Sequence, residues 1–403
     1  MSVDRAIVLL PGHGIDDLPG QLTGDSAAQF LACWTAAWHP ALMLEAGIPQ
    51  WFAADQQDFE RAGSLLLLCE AAKSWLSPDF AHDASANGAT IVEADLDRTI
   101  VVKRALEAIG RAPAIADDLV ADFYAFGYWF LQTELLSYQL RYTSGLDPSS
   151  ISEHVLTAAR AAAASDRSTA KSALSAAFGV LTDQRSHYYP VDSFVLDVTL
   201  VAKFNCGEPL RAELQAGYQR NIWLTGETVE AMAEQEPQSI VALREALVAG
   251  RAEILGGEFN EPPTSLLARR EVVGNLRAGH AAFRRHLDCV PQVFARRRFG
   301  LGPVWPQVWQ QANYDGALHS TFDSGRFPAN LQARSQWRGL GDSRVNICGQ
   351  VTRDASLPET ALGLGATMGE SMENDFVATV VLVRWAGQRT VWLDDFEAGQ
   401  RFF

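Results

Sequence analysis

The sequence predicts an α/β fold, a (β/α)-barrel with an inserted helical subdomain, on three observations. Short β-branched runs alternate with long helical patterns, so successive strands are joined by crossovers and pair in parallel. Roughly ten candidate strands can be counted, more than a doubly wound sheet of this length uses and enough for a closed ring with one or two hairpin additions. The chain has 403 residues, 48% apolar and 20% charged, enough to bury one large core.

In chain order, Ala6 to Leu10 is an apolar run stopped by Pro11, followed by a Gly- and Asp-rich loop and by helical spacing from Ala27 to Glu45. Strand patterns recur at Ser64 to Cys69 and Ala89 to Glu93, the latter trailed by a helix from Leu96 to Ile109. Between Ala114 and Ser186 the strand signal vanishes. An aromatic-rich helix, DFYAFGYWFLQTELLSYQLRY, and two Ala-rich helical stretches broken at Asp166 to Ser168 take its place. Strands resume at Ser193 to Val201, Asn221 to Leu224, Ala252 to Leu255, Gln292 to Phe294, Ala317 to Ser320, Val345 to Gly349 and Val377 to Val383. The expected organisation is therefore 1–113 as the first barrel units, 114–188 as a helical insertion, and 189–403 as the remaining units.

Charge excludes some partners. Against 33 Lys plus Arg stand 48 Asp plus Glu, a net charge of −15, the wrong sign for phosphate backbones or anionic lipid. No nucleic acid and no membrane partner is expected. No stretch reaches the roughly 18 to 20 uninterrupted apolar residues of a bilayer span, and the opening MSVDRAIVLLPGHG reads as a strand rather than a signal peptide. Five cysteines without CxxC spacing suggest a reducing compartment, so a cytoplasmic location is expected.

The stretch from Arg220 to Pro328 carries an ordered set of features. A strand runs into Glu227 and Thr228, then Gly250 to Gly257 reads Gly-Arg-x-Glu-Ile-x-Gly-Gly, with Glu258 and Glu261 in the loop that follows. Asn275 to His280 reads Asn-Leu-x-x-Gly-His, Arg298 to Gly300 is Arg-Phe-Gly, Pro306 and Gln307 open a helix, and a last strand leads to His319. These pieces have physical roles of their own. Paired glycines after a strand permit a sharp turn or close backbone approach, and acids at the carboxyl end of a barrel strand sit where such folds build active sites.

This ordered set resembles the N-terminal catalytic domain of glycoside hydrolase family 38, the α-mannosidases. The resemblance implies a barrel of the seven-stranded glycoside hydrolase and deacetylase type, hydrolysis of mannosides or related glycans, and a zinc ion. The family's zinc is held by a His-x-Asp pair after the first strand, by the Asp nucleophile and by a later His. In LPGHGIDDLP this implies Asp16 as a ligand, with His13 displaced by one position and Gly14 where the His belongs. Two ligands are too few for zinc by themselves.

The family's Asp nucleophile, two residues before its Phe-Gly pair, corresponds to Arg297, and a guanidinium cannot attack an anomeric carbon. Asp197, Glu227, Glu258, Glu261 and His319 are candidate replacements for the acid, base and nucleophile roles. Arg297 and Arg298, with Asp323, are candidate substrate-binding residues, because a guanidinium fork grips carboxylate, sulfate or phosphate groups on a sugar. The alternative for these arginines is ion pairing with neighbouring acids. Three functions remain open: a glycosidase with a rebuilt carboxylate set; a non-catalytic carbohydrate-binding protein on the same scaffold, marked by Arg297 pointing into the cavity and paired to an acid such as Glu227 or Glu258 with no room for a metal; and a related barrel carbohydrate deacetylase, which requires an Asp and two His around a metal although no His-x-x-x-His spacing occurs. In the helical insertion, Tyr124, Tyr128 and Trp129 are either core or sugar-stacking residues. Family members also continue into a helical bundle and β-domains, so the resemblance implies that the sequence is part of a longer protein.

Overall fold

The computed structural model describes residues 3–56, 59–110, 112–140, 148–188, 191–298, 300–318, 333–349, 351–374 and 377–402. It contains two units. The first takes Met1–Pro190, Ser356–Glu370 and Thr390–Phe403; the second takes Val191–Ala355 and Ser371–Arg389. The three helices expected as an insertion thus fall with the first strands in one unit.

In the first unit, β1 (Arg5–Leu10), β2 (Gln50–Ala53), β3 (Ser64–Leu68) and β4 (Thr90–Glu93) pair in parallel in the order β2-β1-β3-β4. The central β1 and β3 are buried along nearly their whole length, as their unbroken apolar runs require of a parallel sheet covered on both faces. The single helix expected from Ala27 to Glu45 is two, Gly24–Ala37 and Pro40–Ala46. Pro40 has no N–H to continue the ladder and pushes the preceding residue out of the helical region, so His39 sits at ψ 127° and caps the new helix by accepting from the Ala41 N–H at 3.2 Å.

The aromatic helix Asp117–Gln139 packs its stripe inward. Trp38 meets Phe126 at 5.2 Å and Phe130 at 5.1 Å between ring centroids, while Trp34 donates from Nε1 to the Gly127 carbonyl at 2.8 Å. Tyr128 is buried and donates to the Ala361 carbonyl at 2.9 Å, Trp129 stacks on Phe396, and Tyr124 lies under the Arg98 guanidinium. These three residues form intramolecular contacts of the core, not an exposed sugar platform. Among the described residues, no helix is long and apolar enough to cross a membrane.

The second unit is built on nine strands: β5 (Ser193–Leu200), β6 (Arg220–Leu224), β7 (Ala252–Gly256), β8 (Val293–Ala295), β9 (Gly316–Leu318), β10 (Arg334–Arg338), β11 (Arg344–Cys348), β12 (Arg353–Asp354) and β13 (Ala378–Trp385). Their order is β10-β11-β9-β8-β7-β6-β5-β13-β12, parallel except for the β10–β11 pair. Alternation along the strands sorts the core. Val198, Leu200, Trp223, Leu255, Ala295, Leu318, Val381 and Val383 meet on one face. Ile222, Leu224 and Ile254 turn to the other, against Leu210, Val229, Met232, Leu243 and Phe283 of the crossover helices.

That first cluster joins strands from both halves of the sheet, and Arg334 of β10 lies over the Phe194 ring of β5 at 4.0 Å, so the sheet is strongly curled. It does not close. Among the described residues its edges are β10 and β12, and the strands expected to open the barrel, β1, β3 and β4, pair in the separate sheet with β2. The expected closed seven-stranded barrel is corrected to two open, largely parallel sheets. The positions where a ring would join are taken by an antiparallel strand on one side and a two-residue strand on the other, and neither ladders onward. The strands β2, β10 and β12 carry no clear sequence pattern.

Candidate functional site

The carboxyl ends of β5, β6, β7 and β8 lie side by side, and the loops that leave them enclose a cavity of about 530 Å³. Ala202, Lys203 and Phe204 come from the first loop, Thr225, Glu227 and Thr228 from the second, Asn260, Glu261 and Pro262 from the third, and Arg297 and Arg298 from the fourth. Adjacent parallel strands all point the same way, so four separate stretches of sequence deliver polar groups to one rim.

Close backbone approach holds these loops together. The Gly226 and Glu227 N–H groups donate to the carbonyls of Glu258 at 2.9 Å and Phe259 at 2.7 Å, tying the second loop to the third. Gly257 has φ 137°, and a Cβ there would lie 1.7 Å from the Tyr314 hydroxyl; a Cβ on Gly279 would lie 2.0 Å from the Gly257 carbonyl oxygen. Only glycine fits either place. Tyr314 is fixed in turn by His280, whose Nε2 is 2.7 Å from the hydroxyl and whose imidazole burial holds down to a pKa of about 4, as a neutral ring. Asn275 reaches from helix Arg269–Leu287 to pin the third loop, donating from Nδ2 to the Asn260 carbonyl at 2.8 Å and accepting from the Asn260 N–H at 3.2 Å.

The charges are paired in layers. Beneath the cavity, Glu258 is fully buried, 3.2 Å from the equally buried Arg296, and accepts from Asn275 Nδ2 at 3.1 Å. Burial pushes the Glu258 carboxyl up to about 8; Arg296 and the Asn275 bond pull it back, while the charge of Glu261 raises it further. Arg296 also donates to the carbonyls of Pro262 at 2.6 Å and Arg298 at 2.8 Å, so one guanidinium links the third and fourth loops. In the cavity wall, Glu261 accepts from the Arg297 N–H at 2.9 Å and from its Nε at 3.2 Å, and the Arg297 guanidinium lies over the Trp385 ring. Glu227 accepts from Lys203 Nζ at 2.7 Å.

Of the residues singled out from sequence, Glu227, Glu261, Arg297 and Arg298 meet in this cavity, and Glu258 lies beneath it. Asp197 does not line it. Residues 196, 198 and 200 face the inner cluster, which turns the Asp197 side chain to the opposite face, where it pairs with Arg220 at 3.3 Å and Arg384 at 3.7 Å. His319 and Asp323 lie outside the described residues. His13 and Asp16 belong to the first unit, where His13 Nδ1 is 2.6 Å from Asp55 and its N–H donates to Asp17 at 3.0 Å. Among the described residues no group of three or more His, Cys, Asp or Glu side chains is arranged to hold a metal. His13 and Asp16, the donors that the resemblance points to, are not part of such a group. Sequence reasoning missed Lys203, Phe204, Asn260 and Trp385; their signal was position alone, since each lies at or just beyond the end of a strand.

Residues 220–380 match the model of the family described as "Glycosyl hydrolases family 38 N-terminal domain". This stretch is a divergent family 38 N-terminal-like domain. The family 38-like segment supplies three of the four loops of the cavity, from Thr225 to Arg298. Among solved structures, the chain is similar to an alpha-mannosidase from Enterococcus faecalis V583, at 14% identity and a TM-score of 0.40 over 52% of this chain and 27% of that one. It is similar to a protein in the glycosyl hydrolase family 38 from Enterococcus faecalis, at 12% identity and a TM-score of 0.40 over 53% and 25%. A third likeness is to a 4-alpha-glucanotransferase from Thermococcus litoralis, at 14% identity and a TM-score of 0.38 over 51% and 37%. The chain thus spans between a quarter and two-fifths of the length of these structures. No curated protein matches it.

Proposed function

We propose that the second unit is a glycoside hydrolase-like domain whose cavity binds a glycan, a mannoside or related sugar, without cleaving it by the two-carboxylate route. One observation carries this reading: Arg297 occupies the position where the family resemblance places the nucleophile, lines the cavity, and is bonded through both its backbone N–H and its Nε to Glu261. Hydrolysis of a glycosidic bond needs one carboxyl that gives up a proton and a second carboxylate that attacks the sugar or activates water. Here Glu227 and Glu261, the carboxylates that line the cavity among the described residues, are each already engaged by a cation.

A second reading, hydrolysis by Glu227 and Glu261 as a rebuilt pair, draws on their lining a single cavity. The two are separated by exposing the full chain to a panel of neutral oligosaccharides and p-nitrophenyl glycosides, with and without added zinc. Saturable binding with no release of nitrophenol is the expected result. Release that Glu227→Gln abolishes would establish the second reading and sink the first.

A further inference from the structure

We infer that the cavity takes a sugar bearing an anionic substituent, with Phe204 as the face on which the ring stacks and Arg298 as the partner of the anion. This rests on the carbohydrate reading of the same cavity and adds the substrate class.

The charge pattern is the first observation. In a chain of net charge −15, the described residues that line the cavity include Lys203, Arg297 and Arg298 against Glu227 and Glu261. Lys203 is taken by Glu227 and Arg297 by Glu261. No described residue pairs with the Arg298 guanidinium, which is exposed. Its backbone is nevertheless held: the buried Arg296 donates to the Arg298 carbonyl at 2.8 Å while bound to Glu258 and to Pro262. The result is an uncommitted guanidinium on an anchored loop, a fork suited to a carboxylate, sulfate or phosphate ester.

The second observation is independent of charge. Phe204 lines the cavity and is 72% exposed, with its ring against Trp385 at 5.0 Å between centroids. It is not an unstructured tip. The neighbouring Asn205 is buried and closes the loop, accepting from the Ala202 N–H at 2.7 Å and donating to the carbonyls of Leu200 at 3.0 Å and Ala386 at 3.3 Å. A solvent-facing phenyl ring in the cavity wall, backed by Trp385, suits the apolar C–H face of a pyranose, with Thr228 and Asn260 in the same lining to meet its hydroxyls. Stacking and anion pairing act on different parts of one ligand, so a ring with a charged substituent satisfies both.

The test titrates the full chain by calorimetry with methyl mannoside, methyl mannuronide, and the 6-sulfate and 6-phosphate of methyl mannoside, with inorganic phosphate as the sugar-free anion. At least one charged glycoside is expected to bind about tenfold tighter than methyl mannoside, the worth of one charge-assisted pair. Which of the three does so identifies the anion. Arg298→Gln should bring the charged-to-neutral ratio close to one, with Arg298→Lys in between, and Phe204→Ala should weaken charged and neutral glycosides alike. Both side chains are exposed, so these variants are expected to fold, which their unfolding midpoints check. Equal binding of charged and neutral glycosides overturns this inference and leaves the carbohydrate reading standing. Binding of inorganic phosphate without any glycoside, or no binding at all, overturns both.

Discussion

Glu213 is the residue whose loss the second unit should feel most. It lies on helix Glu208–Gln215 with no exposed side-chain surface and accepts from Arg384 Nη1 at 2.6 Å and Nη2 at 3.0 Å. Arg389 approaches at 3.4 Å and Arg220 at 3.6 Å. These arginines come from β6, β13 and the turn after it, so the carboxylate ties a crossover helix to the strands whose ends carry the cavity. Glu213→Gln keeps the shape and removes the charge that Arg384, Arg389 and Arg220 face, while Asp197 still pairs with Arg220 and Arg384. Breaking a buried ion pair from one side costs about 3–5 kcal/mol. In a unit of this size each kcal/mol moves the midpoint by roughly 2–4 °C, so the expected fall is about 6–20 °C. Burial works against the ionised form of Glu213, but Arg384, Arg220 and Arg389 hold its carboxyl below the usual range. That stabilisation is present above the ordinary carboxylate pKa and is lost as pH falls through the lowered one, so the wild type and the variant should converge in acid. Urea unfolding and calorimetry at several pH values read both effects. The exposed Glu208→Gln, on the same helix, serves as the control. A midpoint for Glu213→Gln within about 2 °C of wild type at neutral pH would refute the reasoning.

Gly257→Ala should destabilise the second unit by about 3 kcal/mol, from backbone strain at φ 137° and displacement of Tyr314, and should weaken glycan binding; unchanged unfolding and affinity would show that the turn tolerates a side chain. Glu258 holds its proton more tightly when folded than unfolded, so its contribution is greatest below the ordinary carboxylate pKa and declines as pH rises toward about 8. Glu258→Gln should remove that decline, and parallel stability-versus-pH curves for the two proteins between about pH 5 and 8 would contradict the assignment. Arg297→Asp, which puts an acid where the resemblance places the nucleophile, is expected not to create glycosidase activity, because it replaces the cation paired to Glu261 by a like charge; release of nitrophenol by this variant would show otherwise.

Some of this molecule could be read residue by residue. The apolar runs of β1, β3, β5 and β13, the glycine pair after β7, and the acids and arginines that follow parallel strands all depend on local pattern, and at the ends of β5 to β8 the polar loops coincide with the cavity. Asp197 shows the limit within a single strand: period-two alternation, carried through from Leu196 and Val198, would have turned it from the cavity, but only the identity of the buried face decides which parity counts. Phe204 and Lys203 gave no signal of their own, because an exposed aromatic and a lysine are ordinary loop residues until three other loops come beside them.

The amino-acid order, then, placed most of the strands and long helices and the polar loops, and set Arg297 where the resemblance puts an acid. Whether the strands close into a ring, which acid meets which cation, and which side chains share the cavity are long-range matters. They depend on pairing between segments as far apart as β5 and β13, and no local pattern encodes the partner at the other end of such a contact.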